Sequence, residues 1–469
     1  MEKIRTYVLK KIKPTKEEVE KLHDFIRNLL AVAKIAASGA HPIIVGSTGR
    51  ETWLSGDHDI DLFLMYPKSL SREELEKRGL AAGKKIVELL KGKWRLKYAE
   101  HPYVNARIGE YEVDIVPCYK IKKGEKIKSA VDRSPLHAEY IIQKLDSSLR
   151  DAVRLLKQFC KGIGIYGSDN KVEGISGYTC ELLVIVYGKF EQVLKAVAKF
   201  KPGKIIDIEN YWFANVKDPK KVERELKIKF KGQPLILIDP IDKNRNVTAA
   251  LSCENFVRFV MKAKEFLGAP DIEFFFPKKR PLTKQQLNKL KARKTKFIAL
   301  SFKKPDVSDD VLYPQLRKTL ERLTKLLRHH GFDVIRKYHF VLNSKVLLMF
   351  ELETWIKPFI EKRIGPPIFA LKNSKDFLKK YAGAEFGPYI EGDAWIIEKE
   401  REAKSATHLL LDFLRDEPKV LREKGIPSYI AEPLSKCDLL EHEEFWDLVE
   451  GNAELSSFLR EKYFERLIM

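Results

Sequence analysis

Ile43-Ile44-Val45-Gly46-Ser47-Thr48-Gly49-Arg50-Glu51-Thr52-Trp53-Leu54-Ser55-Gly56-Asp57-His58-Asp59-Ile60-Asp61-Leu62-Phe63-Leu64 is the stretch on which the reading of this chain turns. An apolar run ends at Gly46-Ser47, a polar, glycine-bearing turn follows, and Asp59 and Asp61 stand just before a second apolar run. Residues i and i+2 of a strand point to the same face. The two carboxylates therefore lie side by side and repel unless a cation sits between them. Mg²⁺ is usually bound by one or two carboxylates and completes its shell with substrate phosphate oxygens. Gly46 lets backbone N–H groups approach a phosphate closely, and Ser47 adds a hydroxyl. A bare D-x-D on a strand edge is common. The full spacing, G-S, eleven residues, then D-I-D-L-F-L between apolar runs, is far rarer.

Composition narrows the partner. At 469 residues the chain has room for about three domains. Its formal charge of +21 favours a polyanion and salt-sensitive binding. A membrane surface is the competing polyanion, but no apolar run approaches the roughly 18 residues that span a bilayer. The start, Met1-Glu2-Lys3-Ile4-Arg5, lacks the apolar core of a signal peptide, so a cytoplasmic protein is expected. The five cysteines (118, 160, 180, 253 and 437) are scattered, which suggests neither a disulfide framework nor a zinc site. The histidines show no metal-ligand spacing either.

With its neighbours, Gly-Ser-Thr-Gly-Arg-Glu-Thr and Gly-Asp-His-Asp-Ile-Asp-Leu-Phe, the stretch resembles the signature of the polymerase-beta-like nucleotidyltransferases. More specifically it resembles that of the archaeal (class I) CCA-adding tRNA nucleotidyltransferases. That resemblance implies a third carboxylate on an adjacent strand, in an h-D-h-V-P context. Asp114 in Tyr111-Glu112-Val113-Asp114-Ile115-Val116-Pro117 fits it. Glu112 shares the face of Asp114 and is its rival; Asp114 is preferred because both its neighbours are apolar. The resemblance implies that Asp59, Asp61 and Asp114 hold Mg²⁺. It also implies that Ser47, Arg50, Lys157 and the Gly46 backbone orient a triphosphate, and that His137 and Tyr166 contact the nucleotide. Pro240-Ile241-Asp242-Lys243-Asn244-Arg245-Asn246-Val247 resembles a further family motif, in which Arg245 reaches the incoming base. Two departures are small: Ser134 where threonine is common, and Thr248 where alanine is. Tyr178, in Gly174-Ile175-Ser176-Gly177-Tyr178, matches the second domain but is not counted among the site residues.

The implied fold is a multidomain α+β chain. A nucleotidyltransferase mixed sheet with helices (1–137) precedes a helical nucleotide-recognition domain (138–267). An α/β RNA-contacting domain (268–365) and a C-terminal α+β tail (366–469) follow. Helices are predicted over 15–37, with Thr15 and Glu18 as a capping box, and over 71–91, 138–162 and 179–197. Strands are predicted over 94–99, 103–108 and 111–117, and a β-α-β-β order over 297–354. Gly365-Pro366-Pro367 is read as a boundary. The stretch from Lys278 to Lys296 carries nine cations and no acid, which favours RNA contact; the acidic segment from Asp438 to Glu450 should avoid RNA and brace the tail. By resemblance the substrates are tRNA, CTP and ATP, with no membrane partner, and a homodimer is left open. Two rivals stand beside this reading: a poly(A) or poly(U) polymerase on the same catalytic domain, and an RNA-binding protein with a dead catalytic domain.

Overall fold

A computed structural model describes residues 1–98 and 102–465. The chain divides into two compact units, the first running from Met1 to Lys278 and the second from Lys279 to Glu465.

The first unit opens with helices α1 (Glu2–Ile12) and α2 (Lys16–Ala36). Thr15 accepts the Glu18 amide while Glu18 reaches back to the Thr15 amide, closing the expected capping box. Strand β1 (His41–Ile44), the four-residue helix α3 (Gly46–Gly49), β2 (Asp59–Tyr66), α4 (Arg72–Leu89), β3 (Lys93–Tyr98), β4 (Pro102–Ile108) and β5 (Tyr111–Tyr119) follow. They form one sheet in the order β1-β2-β5-β4-β3. β2 and β5 pair in parallel and the other neighbours are antiparallel. The alternation of β2 divides it cleanly. Ile60, Leu62 and Leu64 pack with Leu22, Leu29 and Ile86 of α2 and α4, while Asp59 and Asp61 take the other side. That side becomes apolar further along, where Phe63, Val116 and Cys118 meet Ala138.

Next come α5 (Arg133–Lys144), α6 (Arg150–Gly162), α7 (Gly177–Tyr187), α8 (Phe190–Val197), β6 (Lys204–Asp207), α9 (Pro219–Lys229), β7 (Leu235–Ile238) and α10 (Cys253–Gly268). Their shared core takes in Phe159, Leu182, Val193 and Phe259, and Val8 and Ile12 of α1 belong to it too.

In the second unit α11 (Lys284–Lys291), β8 (Lys296–Lys303), α12 (Asp309–His329), β9 (Val334–Leu342) and β10 (Lys345–Leu352) lead into β11 (Ile360–Pro367), α13 (Leu371–Lys380), β12 (Phe386–Glu391) and β13 (Ala394–Glu400). Helices α14 (Ala406–Leu414), α15 (Pro418–Glu423) and α16 (Ser428–Ser435), strand β14 (Asp438–Leu440), and α17 (His442–Gly451) and α18 (Ala453–Phe464) close it. The main sheet runs β14-β8-β10-β9 and a smaller one β11-β13-β12. β8 and β10 are buried on both faces, between the α12–α14 side and the α17–α18 side. This is why they read as continuous apolar runs.

Several expectations need correcting. The helix predicted over 138–162 is two helices. Leu145 is extended and the Asp146 carboxylate accepts the Ser148 amide, starting a new turn. The helix predicted over 179–197 breaks at Gly188, whose φ of 84° is left-handed. The second domain is not purely helical, since β6 and β7 form a small parallel sheet. Gly365-Pro366-Pro367 is no linker but the end of edge strand β11, where a proline forfeits no ladder hydrogen bond. The basic stretch is not without counterions: Lys291 meets Glu450, Arg293 meets Glu351 and Lys296 meets Glu441. Two of those acids belong to the acidic C-terminal segment, which does brace this region. The predicted strand over 94–99 is β3, and residue 99 lies outside the described residues.

Candidate active site

The parallel register of β2 and β5 sets Asp61 opposite Asp114 and Asp59 opposite Glu112. Two backbone devices lock this face. The Val45 amide donates to the Asp61 carbonyl at 2.9 Å, and Thr48 Oγ1 donates to the Asp59 carbonyl at 2.9 Å. Gly46 lies directly against Asp61: a Cβ there would fall 1.9 Å from Asp61 Oδ2, and its φ of +67° is itself a glycine conformation. Burial and then the charge of Asp114 push Asp61 up to about 6, with Arg50 pulling the other way. Asp59 is also raised, first by burial and then by Glu112, Asp57 and Asp114. Tyr103, beside them, is pushed up to about 12 by burial and by Asp114.

Glu112 sits in a different environment. It accepts from Asn105 Nδ2 at 2.8 Å and Lys97 Nζ at 3.2 Å, and Arg95 lies 3.8 Å away. The Asn105 hydrogen bond and then Lys97 hold it below the usual glutamate range. The same Asn105 amide donates to Asp114 Oδ1 at 2.6 Å, orienting that carboxylate. Glu112 thus has a neutral amide and two cations around it, whereas Asp61 is held up by burial and by Asp114. Among the described residues no three His, Cys, Asp or Glu side chains are drawn together tightly enough to enclose a metal ion unaided. Crowded, hard-oxygen donors with raised affinity for a proton still suit a hard divalent ion that brings phosphate oxygens with it.

The loop after Gly46 is gripped by two cations one turn apart on α6. Arg154 donates to the carbonyls of Glu51 at 2.6 Å and Trp53 at 3.0 Å, and Lys157 Nζ to the carbonyl of Thr52 at 2.9 Å. Lys157 is only 2% exposed, and burial holds its ammonium below the usual lysine range despite Glu181. Glu181 is the sole charge in the otherwise apolar helix α7 and is fully buried. It accepts from Thr52 Oγ1 at 2.5 Å and Arg50 Nε at 3.0 Å, with Lys157 Nζ 4.0 Å away. Its second oxygen, Oε2, lies 2.9 Å from the same Arg50 nitrogen yet has no aligned hydrogen bond. Where α7 begins, Gly177 lets Tyr166 and Lys157 close in: a Cβ there would sit 3.0 Å from the Tyr166 hydroxyl and 3.3 Å from Lys157 Cε.

One residue beyond, the Tyr178 ring stacks on His137 at 4.2 Å between centroids, 27° from parallel. The other edge of His137 meets Asp239, with Nε2 2.9 Å from Oδ2 and 3.1 Å from Oδ1. Arg245 Nη1 donates to the same Oδ2 at 2.7 Å, and the Ile241 amide to Oδ1 at 2.9 Å. Burial alone would raise Asp239, but His137, the Ile241 amide and Arg245 outweigh it and hold the carboxyl below its usual range. Burial lowers His137, against the pull of Asp239.

The structure therefore sorts the residues singled out in the sequence into four groups. Asp59, Asp61 and Asp114 share one face of the adjacent interior strands β2 and β5. Arg50 and Lys157 converge on Glu181, and His137 and Arg245 on Asp239. Tyr166 and Lys157 both close on Gly177, and Ser47 lies partly buried in α3. Neither Arg50 nor Lys157 projects outward as a phosphate clamp; both are turned into the protein.

Three family models match successive parts of the chain. The nucleotidyltransferase domain model matches residues 20–137. The tRNA nucleotidyltransferase second domain matches 151–276, and the CCA-adding enzyme C-terminal domain matches 293–425. The CCA-adding enzyme of Methanosarcina acetivorans is 40% identical over 87% of this chain and 88% of its own. That of Methanocaldococcus jannaschii is 37% identical over 92% and 94%. This chain belongs to the CCA-adding enzyme family. Among solved structures, a cytoplasmic RNA terminal U-transferase aligns at 15% identity with a TM-score of 0.43, covering 58% of this chain and 96% of its own.

In this CCA-adding family member the sequence reading passed over Asn105, Glu181 and Asp239, and it set Tyr178 aside. Two of these carried a signal. A lone carboxylate inside Tyr178-Thr179-Cys180-Glu181-Leu182-Leu183-Val184, or at the end of Leu235-Ile236-Leu237-Ile238-Asp239, cannot be buried without partners. Asn105 carried none, because its partners Glu112 and Asp114 become neighbours only through strand pairing.

Proposed function

We propose that this chain adds C, C and A in turn to the 3′ end of tRNA, taking CTP and ATP, using no nucleic-acid template and releasing pyrophosphate. The observation that carries this is the Asp61–Asp114 register beside Gly46, inside a chain where a nucleotidyltransferase domain is followed by a tRNA nucleotidyltransferase second domain and a CCA-adding enzyme C-terminal domain. Asp59, Asp61 and Asp114 would hold Mg²⁺. When bound, that ion offsets triphosphate charge and favours ionisation of the attacking RNA hydroxyl. The chain's own contribution is positioning. The Gly46–Gly49 turn and Ser47 meet the phosphates, Arg154 and Lys157 keep the following loop from moving, and Asn105 aims Asp114. His137, Tyr166 and Arg245 face the nucleoside.

In this reading residues 1–137 carry the chemistry, 138–267 read the nucleotide, and 268–365 with 366–469 grip tRNA by phosphate and shape. A tRNA substrate also argues for residence in the cytoplasm; among the described residues no helix is long and apolar enough to cross a membrane. The test is incorporation of CTP and ATP, singly and together, into tRNAs trimmed by one, two and three nucleotides, with UTP and GTP as controls. The expected pattern is A alone, then C and A, then C, C and A, with no further addition. Homopolymer tails would instead identify a poly(A) or poly(U) polymerase. Absence of any transfer would leave only an RNA-binding role.

A further inference from the structure

We propose that Thr52 is a positioning residue for nucleotidyl transfer, whose hydroxyl ties the turn beside Asp61 to the buried Glu181 of α7. This rests on the reading above that the Gly46–Gly49 turn meets the triphosphate. Three observations carry it. Thr52 is fully buried, and every polar group it has is used. Its amide donates to the Ser47 carbonyl at 3.0 Å, and its carbonyl accepts from Lys157 Nζ at 2.9 Å. Its Oγ1 donates to Glu181 Oε1 at 2.5 Å and accepts from Lys157 Nζ at 3.1 Å. The preceding residue, Glu51, holds φ at 55°, a left-handed conformation that a side chain of this kind keeps only where its surroundings impose it. Those surroundings are cations of α6, which take three successive carbonyls: Glu51 and Trp53 through Arg154, and Thr52 through Lys157. Finally, the tie leads to the acids. The Glu51 and Thr52 amides donate to the Thr48 and Ser47 carbonyls, and Thr48 Oγ1 donates to the Asp59 carbonyl.

The chemistry follows from hydrogen-bond polarity. A carboxylate only accepts and an ammonium only donates. An atom set between Glu181 and Lys157 must donate to the first and accept from the second. A hydroxyl does both at once, and a methyl does neither. Glu181 has no other donor in reserve: its Oε2 lacks an aligned hydrogen bond, so without Thr52 only Arg50 Nε would remain on it. Loss of the hydroxyl therefore leaves a buried charge short of a partner and loosens the loop next to its strained residue. As Glu51 relaxes, the Ser47 and Thr48 carbonyls move with the amides they accept, and the turn shifts against Asp59 and Asp61. A misplacement of about 1 Å costs on the order of 100-fold in rate. The shape of the side chain matters less than its one hydroxyl, and the two can be separated.

The experiment sets Thr52→Val, which keeps the shape and drops the hydroxyl, against Thr52→Ser, which keeps the hydroxyl and drops the methyl. Both are made in the full-length protein and assayed with CTP, Mg²⁺ and tRNA trimmed by three nucleotides. Thermal unfolding followed by circular dichroism establishes that each variant is folded at the assay temperature, so a smaller folded fraction cannot supply the effect. The expected result is a fall of about 100-fold in kcat for Thr52→Val with KM for tRNA unchanged, and a kcat for Thr52→Ser within about threefold of the parent. A fall of less than about tenfold for valine, or equal losses in the two variants, would make Thr52 a packing residue and overturn the proposal. Should Thr52→Val fail to fold, Thr52→Ala takes its place against Thr52→Ser: alanine should lose about 100-fold and serine should not, and equal losses again overturn it. Asp59→Ala/Asp61→Ala is assayed alongside. Transfer surviving there defeats the nucleotidyltransferase reading itself; transfer lost there with Thr52→Val at the parent's rate defeats only this inference.

Discussion

The acidic face of the first sheet and the two buried acids behind it use the same functional group in opposite ways. At that face, Asp59 and Asp61 are crowded by other carboxylates and kept from ionising easily. Behind it, Glu181 and Asp239 are fully buried but surrounded by cations and hydrogen-bond donors. The first arrangement is one that a cation would relieve; the second meets its charge with cations, although Glu181 Oε2 keeps no aligned hydrogen bond, and it ties other side chains together. Burial raises all three of Asp59, Asp61 and Asp239; neighbouring carboxylates add to it at the first two, and His137, the Ile241 amide and Arg245 outweigh it at the third.

Substitutions can break or sharpen that contrast. The largest effect is expected for Asp61→Asn, which removes charge where charge is needed. Nucleotide transfer should drop by more than about a thousandfold, with tRNA affinity by filter binding unchanged; transfer within tenfold of the parent would break the comparison. Glu181→Gln is next. It leaves buried Arg50 and Lys157 without their counter-charge, and unfolding in urea should show a loss of about 3 kcal/mol. A change below about 1 kcal/mol would mean the cluster does not hold the first unit together.

A pH effect is smaller. Because Asp61 is raised to about 6 in the folded protein, it is protonated below that pH and ionised above it. Ionising it costs the fold some stability as pH rises through this range, and binding of Mg²⁺ with CTP recovers that cost. Affinity of Mg²⁺ with CTP, measured by calorimetry from pH 5 to 7.5, should fall as pH drops through 6 and level off above it; a flat profile would show that Asp61 lies outside the site. The smallest effect belongs to Glu112→Gln. Its partners Lys97 and Arg95 are partly exposed, so activity should change by less than about threefold and stability by less than about 1 kcal/mol.

What could be read from the chain alone follows the same line. The strand bearing Asp59 and Asp61 and its capped neighbouring helix rest on local periodicity and capping, and the structure has both; Asp114 was picked out by resemblance and by its apolar neighbours, and the register sets it opposite Asp61. The basic stretch from Lys278 was misjudged because Glu351, Glu441 and Glu450 reach it from far along the chain. Arg50 and Lys157 show the same limit. Their type and position were visible, but Glu181, brought in by the packing of α7 on α6, was not. Gly365-Pro366-Pro367 misled in the other direction: proline breaks a ladder only where its missing N–H is needed, and strand order is not written locally.

The contact between Gly46 and Asp61 has a consequence for anyone who sets out to diversify this protein. With Asp61 Oδ2 occupying the place of a side chain, position 46 has no conservative replacement: alanine already collides with the carboxylate and opposes the backbone torsion. A saturation library spanning residues 43–64 should return one allele at this codon and many at its surface neighbours. Directed evolution of this protein would do better to leave position 46 fixed and vary the positions around it.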